Sequence, residues 1–476
     1  MRPVSAGRLR RAAYRSPSPS MAAVAPLARL VLSLLVLAAA VAPRPATGGT
    51  DPAAAIDAYV QAAQDVQHFQ GTVLVARDGV PLLEKGYGLA SRELGVPNTP
   101  ATKHLIGSLT KQFTAAAILQ LQERGLLSVQ DPIAKHLPAW PRATAERVTI
   151  HQLLSHTAGI PSYTDDAVLM ARRTVEITLD ELCATFQDKP LDFEPGTSWS
   201  YGNSGYVILG RIIEAVSGET YEQYLRAHIL DPAGMSDTGY SHLETIIPNR
   251  ASGHVWRDGG WANAPRVAMS MPYAAGALHT TAADLLRWDQ ALYGETILSA
   301  RSKEQMFTPV RQDYGYGQII VERFGHREIM HAGGIDGFSA YLARYPDDRL
   351  TIIVLGNNES VPAYNIGMNI AAILFEQPYD LPATRTPVAI DPAVFARCVG
   401  DYELAPDFVI SVRARDGRFF TQATGQPELE IFAISESEFY LQDVEARLSF
   451  QGDATGAVTG LILHQVGREM PARKIR

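Results

Sequence analysis

Two hydrophobic patterns alternate between residues 56 and 375, and together they predict a mixed domain of helices and antiparallel strands. Apolar runs on either side of short polar turns predict two hairpins, at 71–76 with 80–88 and at 338–345 with 350–355. Apolar residues at helical spacing predict four helices, at 108–124, 206–216, 281–293 and 363–375. The first of these is apolar around most of its circumference and stops at Gly125, so we expect a buried helix with a glycine cap.

The pattern changes after a proline-rich segment that predicts a linker at 379–392. Short runs of alternating apolar and polar residues follow, at 408–415, 418–423, 429–434, 439–441, 448–451, 458–464 and 469–475. No helical pattern lies among them, which is typical of a small antiparallel β-barrel. We therefore predict one domain at 51–378 and a second, lipocalin-like barrel domain at 393–476.

The first 48 residues carry arginines but no acidic residue, and they include the apolar run LVLSLLVLAAAVA at 30–42. This run is too short to span a bilayer but is typical of a secretory signal peptide, with cleavage near 46–49. Met21 is an alternative start, and a mitochondrial transit peptide is the competing interpretation. We predict a signal peptide at 1–48, export to the periplasm or the medium, and no membrane span after its removal.

Composition excludes several classes of protein. Hydrophobic residues make up 46% of the 476 residues and charged residues 19%, which is too apolar for disorder. The net charge is −8 and no Lys/Arg-rich run follows the N-terminal segment, so we predict no nucleic-acid partner. The two cysteines, Cys183 and Cys398, are expected to be isolated buried thiols, although export would permit a disulfide.

Familiar hydrolase signatures are missing from the sequence. There is no His-Glu-x-x-His pair, and His151 and His156 are five residues apart, off a shared helical face, so we predict no metal and no cofactor. The Gly-x-Ser-x-Gly elbow of lipases is also missing, because the best match, residues 202–206, has tyrosine at its fifth position.

A serine and a lysine open the first predicted helix. Ser108 and Lys111 are three residues apart, so their side chains would be neighbours on one helical face. A desolvated lysine with a lowered pKa can take a proton from serine, and the helix N-terminus would favour charge on an attacked carbonyl. The motif alone is common by chance, but Lys111 precedes an apolar run, an unusual place for a solvated amine.

Two further segments offer partners for this pair. Tyr201 could shuttle a proton if Lys111 stabilised its phenolate, and Asn203 could orient Lys111 and bind a substrate carbonyl. His331 precedes Gly333 and Gly334, glycines that allow a strand edge to approach a ligand closely. Taken separately, the first segment is also typical of a turn before a helix, and the second of a core histidine.

The order and spacing of these three elements resemble those of the penicillin-recognising serine hydrolases, which include class C β-lactamases, D-alanyl-D-alanine carboxypeptidases and family VIII esterases. The middle element has the Tyr-x-Asn form of the class C branch. Residues 153–160, LLSHTAGI, resemble the family's Leu-Leu-x-His-Thr-Ser-Gly stretch, and residues 276–284, GALHTTAAD, resemble its Gly-Gly-Leu-x-Ser-Thr-x-x-Asp segment. The resemblance covers about residues 55–375.

This resemblance implies an α+β fold of the β-lactamase/DD-peptidase type, an antiparallel sheet flanked by helices with an all-helical lobe, to which the C-terminal barrel is added. It implies that Ser108 is the acylated nucleophile, Lys111 its activating partner and Tyr201 the general base and acid. Asn203, His331 and Gly333 would contribute to substrate binding, as would Gly334, whose N–H would form the oxyanion hole with that of Ser108. We interpret His156 as structural.

The predicted function is therefore a serine hydrolase that forms an acyl-enzyme on an ester or amide of a small molecule or peptide. His331 stands where β-lactamases of this group use lysine, so we expect weak β-lactamase activity at most. The alternative is a penicillin-binding or peptidoglycan-sensing protein that is acylated without turnover. The sequence leaves the exact substrate and the oligomeric state open.

Overall fold

The computed structural model describes residues 51–476 except 258, 380, 383–386, 427, 442–445, 454 and 466–467. The predicted signal peptide, residues 1–48, lies outside the described residues. The fold is of the β-lactamase type, with antiparallel sheets and helices, followed by a closed eight-stranded barrel. This confirms the predicted fold class.

Most helices begin at a polar side chain that accepts a backbone N–H of the first turn, as Asp51, Thr149, Thr178, Thr220 and Thr281 do. The helices are α1 Pro52–Gln67, α2 Thr110–Glu123, α3 Ile133–His136, α4 Arg142–Ala145, α5 Ile150–Leu154, α6 Ala167–Met170, α7 Leu179–Ala184, α8 Ser204–Ser217, α9 Tyr221–Leu225, α10 Tyr273–Gly276, α11 Ala282–Ala291, α12 Ala300–Met306, α13 Ala363–Leu374 and α14 Pro392–Phe395. All four predicted helices are present, with ends that differ by a few residues from the predicted ones.

The central sheet contains both predicted hairpins. Its strands are β1 Gly71–Arg77, β2 Val80–Tyr87, β10 Ile319–Arg323, β11 His326–Ile335, β12 Phe338–Tyr345 and β13 Leu350–Gly356, in the order β10-β11-β12-β13-β1-β2. Every pairing is antiparallel. Asp78 and Gly79 form the first turn with φ of +52° and +74°, the left-handed backbone that tight hairpins require.

Hydrophobic side chains bury both faces of this sheet. Val73, Val75 and Ile352 pack with the terminal helices α1 and α13 on one face. Leu74, Ile353 and Leu355 join the core of the helical lobe on the other. Two strand pairs (β3 with β4, β7 with β8) and a three-stranded sheet (β5-β9-β6) complete the domain. Their strands are β3 Leu89–Ser91, β4 Val96–Pro97, β5 His104–Leu105, β6 Gly239–Tyr240, β7 His254–Arg257, β8 Gly260–Asn263 and β9 Leu278–Thr280.

The C-terminal barrel has one strand more than predicted. Its strands are β14 Gly400–Ala405, β15 Phe408–Arg415, β16 Arg418–Ala423, β17 Leu429–Ala433, β18 Glu438–Leu441, β19 Ala446–Gly452, β20 Val458–Gln465 and β21 Arg468–Lys474. The prediction missed β14, whose sequence GDYELA is rich in residues that strands disfavour. It also missed α14, which places Phe395 in the barrel core against Phe419 and Phe439.

The barrel has a hydrophobic core of its own, built from residues 390–472. No helix or strand occupies the described residues between 375 and 391. The predicted domain boundaries remain predictions, since residues 380 and 383–386 of the linker lie outside the described part of the chain.

Both cysteines are buried and free, as expected for isolated thiols. Burial raises the pKa of each thiol to about 11. Within the described residues, every helix is too short or too polar to cross a membrane.

Candidate active site

Ser108 lies in a tight turn that joins a strand to a buried helix. Strand β5 leads into the 3₁₀ turn Gly107–Leu109, and helix α2 follows directly. The predicted helix therefore begins as a 3₁₀ turn, with Gly107 at φ +49° where only glycine fits easily. Ser108 remains partly exposed, whereas Leu109, Thr110 and Lys111 after it are buried.

The C-terminal part of strand β11, at Gly333 and Gly334, packs directly against this turn. A Cβ on Gly333 would lie 2.0 Å from the Ile106 carbonyl oxygen and 3.2 Å from the Ser108 nitrogen. A Cβ on Gly107 would lie 2.7 Å from the Gly334 carbonyl oxygen. These two glycines are therefore required for the close approach of strand and turn.

One edge of β11 is open beside Ser108. Strand β10 pairs with β11 only from His326 to Met330, so residues 331–335 have no strand partner on that side among the described pairings. Gly334 is exposed although Gly333 is buried. Gly334 is thus an exposed residue on an open strand edge, directly beside the Ser108 turn.

The Lys111 amine is completely buried and surrounded by oxygen atoms. Its Nζ lies 3.0 Å from Ser108 Oγ, 2.8 Å from Asn203 Oδ1 and 2.9 Å from the carbonyl oxygen of Ala275. Nζ also lies 4.9 Å from the centre of the Tyr201 ring. Burial lowers the pKa of Lys111 well below its usual value, because a charged amine is poorly solvated there.

These three contacts determine where the N–H groups and the lone pair of a neutral Lys111 amine point. A neutral amine has two N–H donors and one lone pair, whereas the Ala275 carbonyl and Asn203 Oδ1 can only accept. The two N–H groups are therefore used by these two oxygens. Of these three contacts, only Ser108 has a proton to give, and the lone pair is left facing it.

The Tyr201 hydroxyl is hydrogen-bonded to the same serine. Burial raises the pKa of Tyr201 above its usual value, and the hydrogen bond to Ser108 lowers it by a smaller amount. The sequence-based expectation was a phenolate stabilised by Lys111. The structure differs because desolvation dominates the pKa of the phenol, which therefore stays protonated near neutral pH.

His331 is buried at the near end of the open edge and is fully hydrogen-bonded. Its Nδ1 lies 2.5 Å from the Ala332 carbonyl oxygen, so Nε2 accepts the hydroxyl of Tyr314 at 3.0 Å. Burial, with a smaller contribution from Lys111, lowers the pKa of His331 to about 3. The imidazole is therefore neutral, as expected, and both of its nitrogens are already engaged within the protein.

His156 supports the segment that carries Tyr201, which agrees with its interpretation as structural. It is buried with φ of +59°, its carbonyl accepts the Ser200 N–H, and its Nδ1 accepts the Gly202 N–H at 3.3 Å. Its ring centre lies 4.4 Å from that of Tyr201.

Three contributors to the site escaped the sequence analysis. The Ala275 carbonyl contacts Lys111, Tyr314 contacts His331, and Thr164 contacts Asn203. A backbone carbonyl gives no signal in the sequence. Tyr314 does stand in a Tyr-Gly-Tyr-Gly repeat whose second glycine packs against the Lys111 backbone, and that repeat could have drawn attention to it.

Comparison with known proteins places this geometry in a family. The Beta-lactamase family model matches residues 56–375, and a domain of unknown function, DUF3471, matches residues 384–474. Penicillin-binding protein 4* of Bacillus subtilis is 33% identical over 438 residues, which cover 85% of this chain and 94% of that protein.

Solved structures agree with the sequence match. The octameric penicillin-binding protein homologue from Pyrococcus abyssi has a TM-score of 0.64 at 25% identity and covers 88% of this chain and 99% of its own. A D-stereospecific amidohydrolase from Streptomyces has a TM-score of 0.55 at 26% identity, covering 64% and 94%. With the Ser108–Lys111 geometry, these matches show that the chain belongs to the beta-lactamase family, among penicillin-binding protein homologues and related serine acyl-enzyme hydrolases.

Proposed function

We propose that this protein hydrolyses an ester or amide bond through an acyl-enzyme on Ser108, and that its substrates are carboxylic esters or D-amino-acid peptides and amides. The observation that carries this proposal is the buried Lys111 amine, whose two N–H groups face fixed acceptors while Ser108 Oγ lies 3.0 Å away. A preorganised base beside a serine is what acyl transfer requires.

In the first step, Lys111 takes the Ser108 proton and Oγ attacks the substrate carbonyl carbon. The carbonyl electron pair moves to oxygen, where the N–H groups of Ser108 and Gly334 stabilise the charge. The intermediate collapses by breaking the bond to the leaving group, which receives the proton of Tyr201. The Lys111 ammonium then returns a proton to Tyr201. In the second half of the reaction, water attacks the carbonyl carbon of the acyl-Ser108 ester and gives up a proton to the neighbouring base. The bond to Ser108 Oγ breaks, the carboxylic acid leaves, and Oγ takes the proton back.

The opposite pKa directions of Lys111 and Tyr201 support this division of labour. A lysine with a lowered pKa is available as the neutral base, and a tyrosine with a raised pKa is available as the acid. The family resemblance implied that Tyr201 is both general base and general acid, whereas the Ser108–Lys111 spacing also allowed Lys111 to take the serine proton. The proposal keeps Tyr201 as the acid and transfers the first deprotonation to Lys111.

Neutral His331 supports the choice of substrate class. A β-lactam carries a carboxylate, and the pKa of about 3 at His331 means that this position provides no positive charge near pH 7. The similarity to a D-stereospecific amidohydrolase supports amides of D-amino acids as candidates. We propose weak β-lactam hydrolysis at most.

Substrate profiling tests the proposal. Purified protein would be assayed with p-nitrophenyl esters, D-Ala-D-Ala peptides, D-amino-acid amides and a cephalosporin. We expect repeated turnover of an ester or a D-amino-acid substrate and slow or no cephalosporin hydrolysis. Stoichiometric acylation by all of them without turnover would contradict the proposal and favour a penicillin-binding sensor. Efficient cephalosporin hydrolysis would contradict the assigned substrate class.

We also propose that the protein is exported, on the basis of the acid-free N-terminus and its apolar run. N-terminal sequencing of protein from the native host should begin near residues 48–51. Soluble protein that retains residues 1–45 would contradict export.

A further inference from the structure

The orientation of the Asn203 amide decides whether the Lys111 lone pair faces Ser108. With Oδ1 toward Nζ, as observed at 2.8 Å, the amide uses one N–H of the lysine. With the amide reversed, its NH₂ group would point at Nζ and would hydrogen-bond to the lone pair, withdrawing it from Ser108. The two ends of an asparagine amide have the same shape, so only hydrogen-bond partners select between them.

The partner on the other end of the amide is Thr164. Asn203 Nδ2 lies 3.3 Å from Thr164 Oγ1, and Thr164 Oγ1 lies 2.8 Å from Ser162 Oγ. Ser162 Oγ also accepts the backbone N–H of Asn203 at 3.0 Å. When the Thr164 hydroxyl donates its one proton to Ser162 Oγ, Thr164 Oγ1 can only accept from the amide, and an amide oxygen in the place of Nδ2 would have no donor.

The segment that carries Thr164 is held firmly. It forms the 3₁₀ turn Tyr163–Asp165, in which the Tyr163 N–H donates to Ser204 Oγ and the Tyr163 hydroxyl donates to the Met271 carbonyl. Ser204 Oγ in turn donates to the Pro161 carbonyl. The turn is thus attached to the first residue of α8, immediately after Asn203, and its hydroxyl keeps a fixed position relative to the amide.

We propose that Thr164 is a positioning residue of this active site: its hydroxyl accepts the Asn203 amide N–H and so fixes Oδ1 toward Lys111. The inference rests on the proposed function, because it acts through the proton transfer from Ser108 to Lys111. Thr164 is linked to Lys111 through the Asn203 side chain.

The test compares Thr164→Val, which keeps the shape but removes the acceptor, with Thr164→Ser, which retains the hydroxyl. Thr174→Val, at an exposed threonine ten residues farther along the chain, is the matched control. Each variant is checked by circular dichroism and assayed with a p-nitrophenyl ester from pH 5 to 10. We expect Thr164→Val to lower kcat about 10- to 100-fold with little change in KM. The kcat of Thr164→Ser should stay near that of the parent protein, and the kcat of Thr174→Val should equal it.

The pH profile separates positioning from loss of packing. In Thr164→Val, an Asn203 amide N–H that faces Nζ disfavours the Lys111 ammonium and lowers the pKa of Lys111. The acidic limb of the kcat–pH profile should therefore move to lower pH, while the maximal kcat falls. The other titratable groups around Nζ are Tyr201, Tyr206, His156 and His331, and none of them is changed in this variant. Loss of packing alone would lower the plateau and leave the limb in place, which would contradict the proposal.

Repeating the Thr164→Val substitution in an Asn203→Asp protein makes the test independent of how well the fold tolerates the valine. In Asn203→Asp both ends of the side chain are oxygen, so its orientation no longer matters and Thr164→Val should cost little more. An equal cost in both backgrounds, or a Thr164→Ser variant as slow as Thr164→Val, would overturn the role of Thr164. If the unsubstituted protein is not acylated on Ser108 by a fluorophosphonate, the proposed function itself fails, whatever the Thr164 variants show.

Discussion

At the scale of single residues, the site depends on two groups whose environments move their pKa values in opposite directions. Lys111 has no counter-ion among its contacts: its neighbours are neutral oxygens, and burial disfavours its charged form. Tyr201 is a phenol in the same enclosed space, and burial disfavours its phenolate. One environment therefore provides both a neutral base and a neutral acid at the same pH.

The pH dependence of acylation follows from these directions. As the pH rises, Lys111 loses its proton and acylation accelerates, and this limb should lie well below the usual lysine pKa of about 10.4. The rate should then stay level, because the raised pKa of Tyr201 keeps the acid protonated beyond pH 10. Stopped-flow acylation by a chromogenic ester measures this profile. A rising limb centred near 10 would contradict the lysine as base.

At the scale of secondary-structure elements, the proposed catalysis requires β11 to lie close against the Ser108 turn. Gly333 and Gly107 make that approach possible, and the edge is open because β10 begins at Ile319, opposite Met330. The strand then continues to Ile335 and turns at Asp336, which forms an ion pair with Arg173 of the helical lobe at 2.5 Å. This ion pair thus connects the sheet and the helical lobe just beyond the open edge of β11.

Substituting Gly333→Ala tests this close approach. The new Cβ would lie 2.0 Å from the Ile106 carbonyl oxygen, so strand and turn must separate and Gly334 moves away from Ser108. We expect a loss of about 100-fold in ester hydrolysis, the scale of a displacement of roughly 1 Å in an active site. Gly260→Ala is the matched control, since no atom lies within 4 Å of its Cβ. Equal activity of the two variants would contradict the assigned role of β11.

Predictions from sequence succeeded where local signals decide the structure. Helix α8 follows from its apolar spacing and the glycine at 218, and the first hairpin follows from its Asp-Gly turn. The sequence could not show that the helix at Ser108 starts as a 3₁₀ turn, because the contact between Gly107 and Gly334 imposes that geometry from 227 residues away in the chain. It could not indicate Thr164 or the Ala275 carbonyl either, because both act through hydrogen bonds between distant segments.

At the scale of the whole molecule, several buried histidines link stability to pH. Burial lowers the pKa of His104 to about 4 and that of His279 and His331 to about 3. Unfolded histidines titrate near 6.5, so below that pH the unfolded chain binds protons that the folded protein does not. Stability is therefore complete above pH 6.5 and is lost progressively as the pH falls toward 3.

Urea unfolding at a series of pH values measures this loss. Each histidine contributes up to about 1.4 kcal/mol per pH unit within its window, and carboxylates add to the slope mainly below pH 5. The interval from pH 6.5 to 5 thus reports mainly the histidines, and we expect the free energy of unfolding to decrease there. A constant free energy across this interval would contradict burial of neutral histidines.

The separate cores of the two domains predict a division of labour. Every residue assigned to the chemistry precedes residue 340, and the barrel core draws only on residues 390–472. A chain ending at Tyr379 keeps the contact of that ring with Tyr59 and should still be labelled at Ser108 by a fluorophosphonate. Circular dichroism must first show that the shortened chain is folded. A folded but unreactive chain would mean that the barrel completes the active site.

The most direct test of the account is the intact mass of the protein after reaction with a fluorophosphonate. We expect a single adduct on the parent protein, located on Ser108 by peptide mapping, and no adduct on Ser108→Ala. Lys111→Ala should be labelled more slowly, by about 10²- to 10⁴-fold, the usual contribution of a positioned base. An adduct that persists at full rate in Ser108→Ala would show that the nucleophile lies elsewhere and would contradict the central claim.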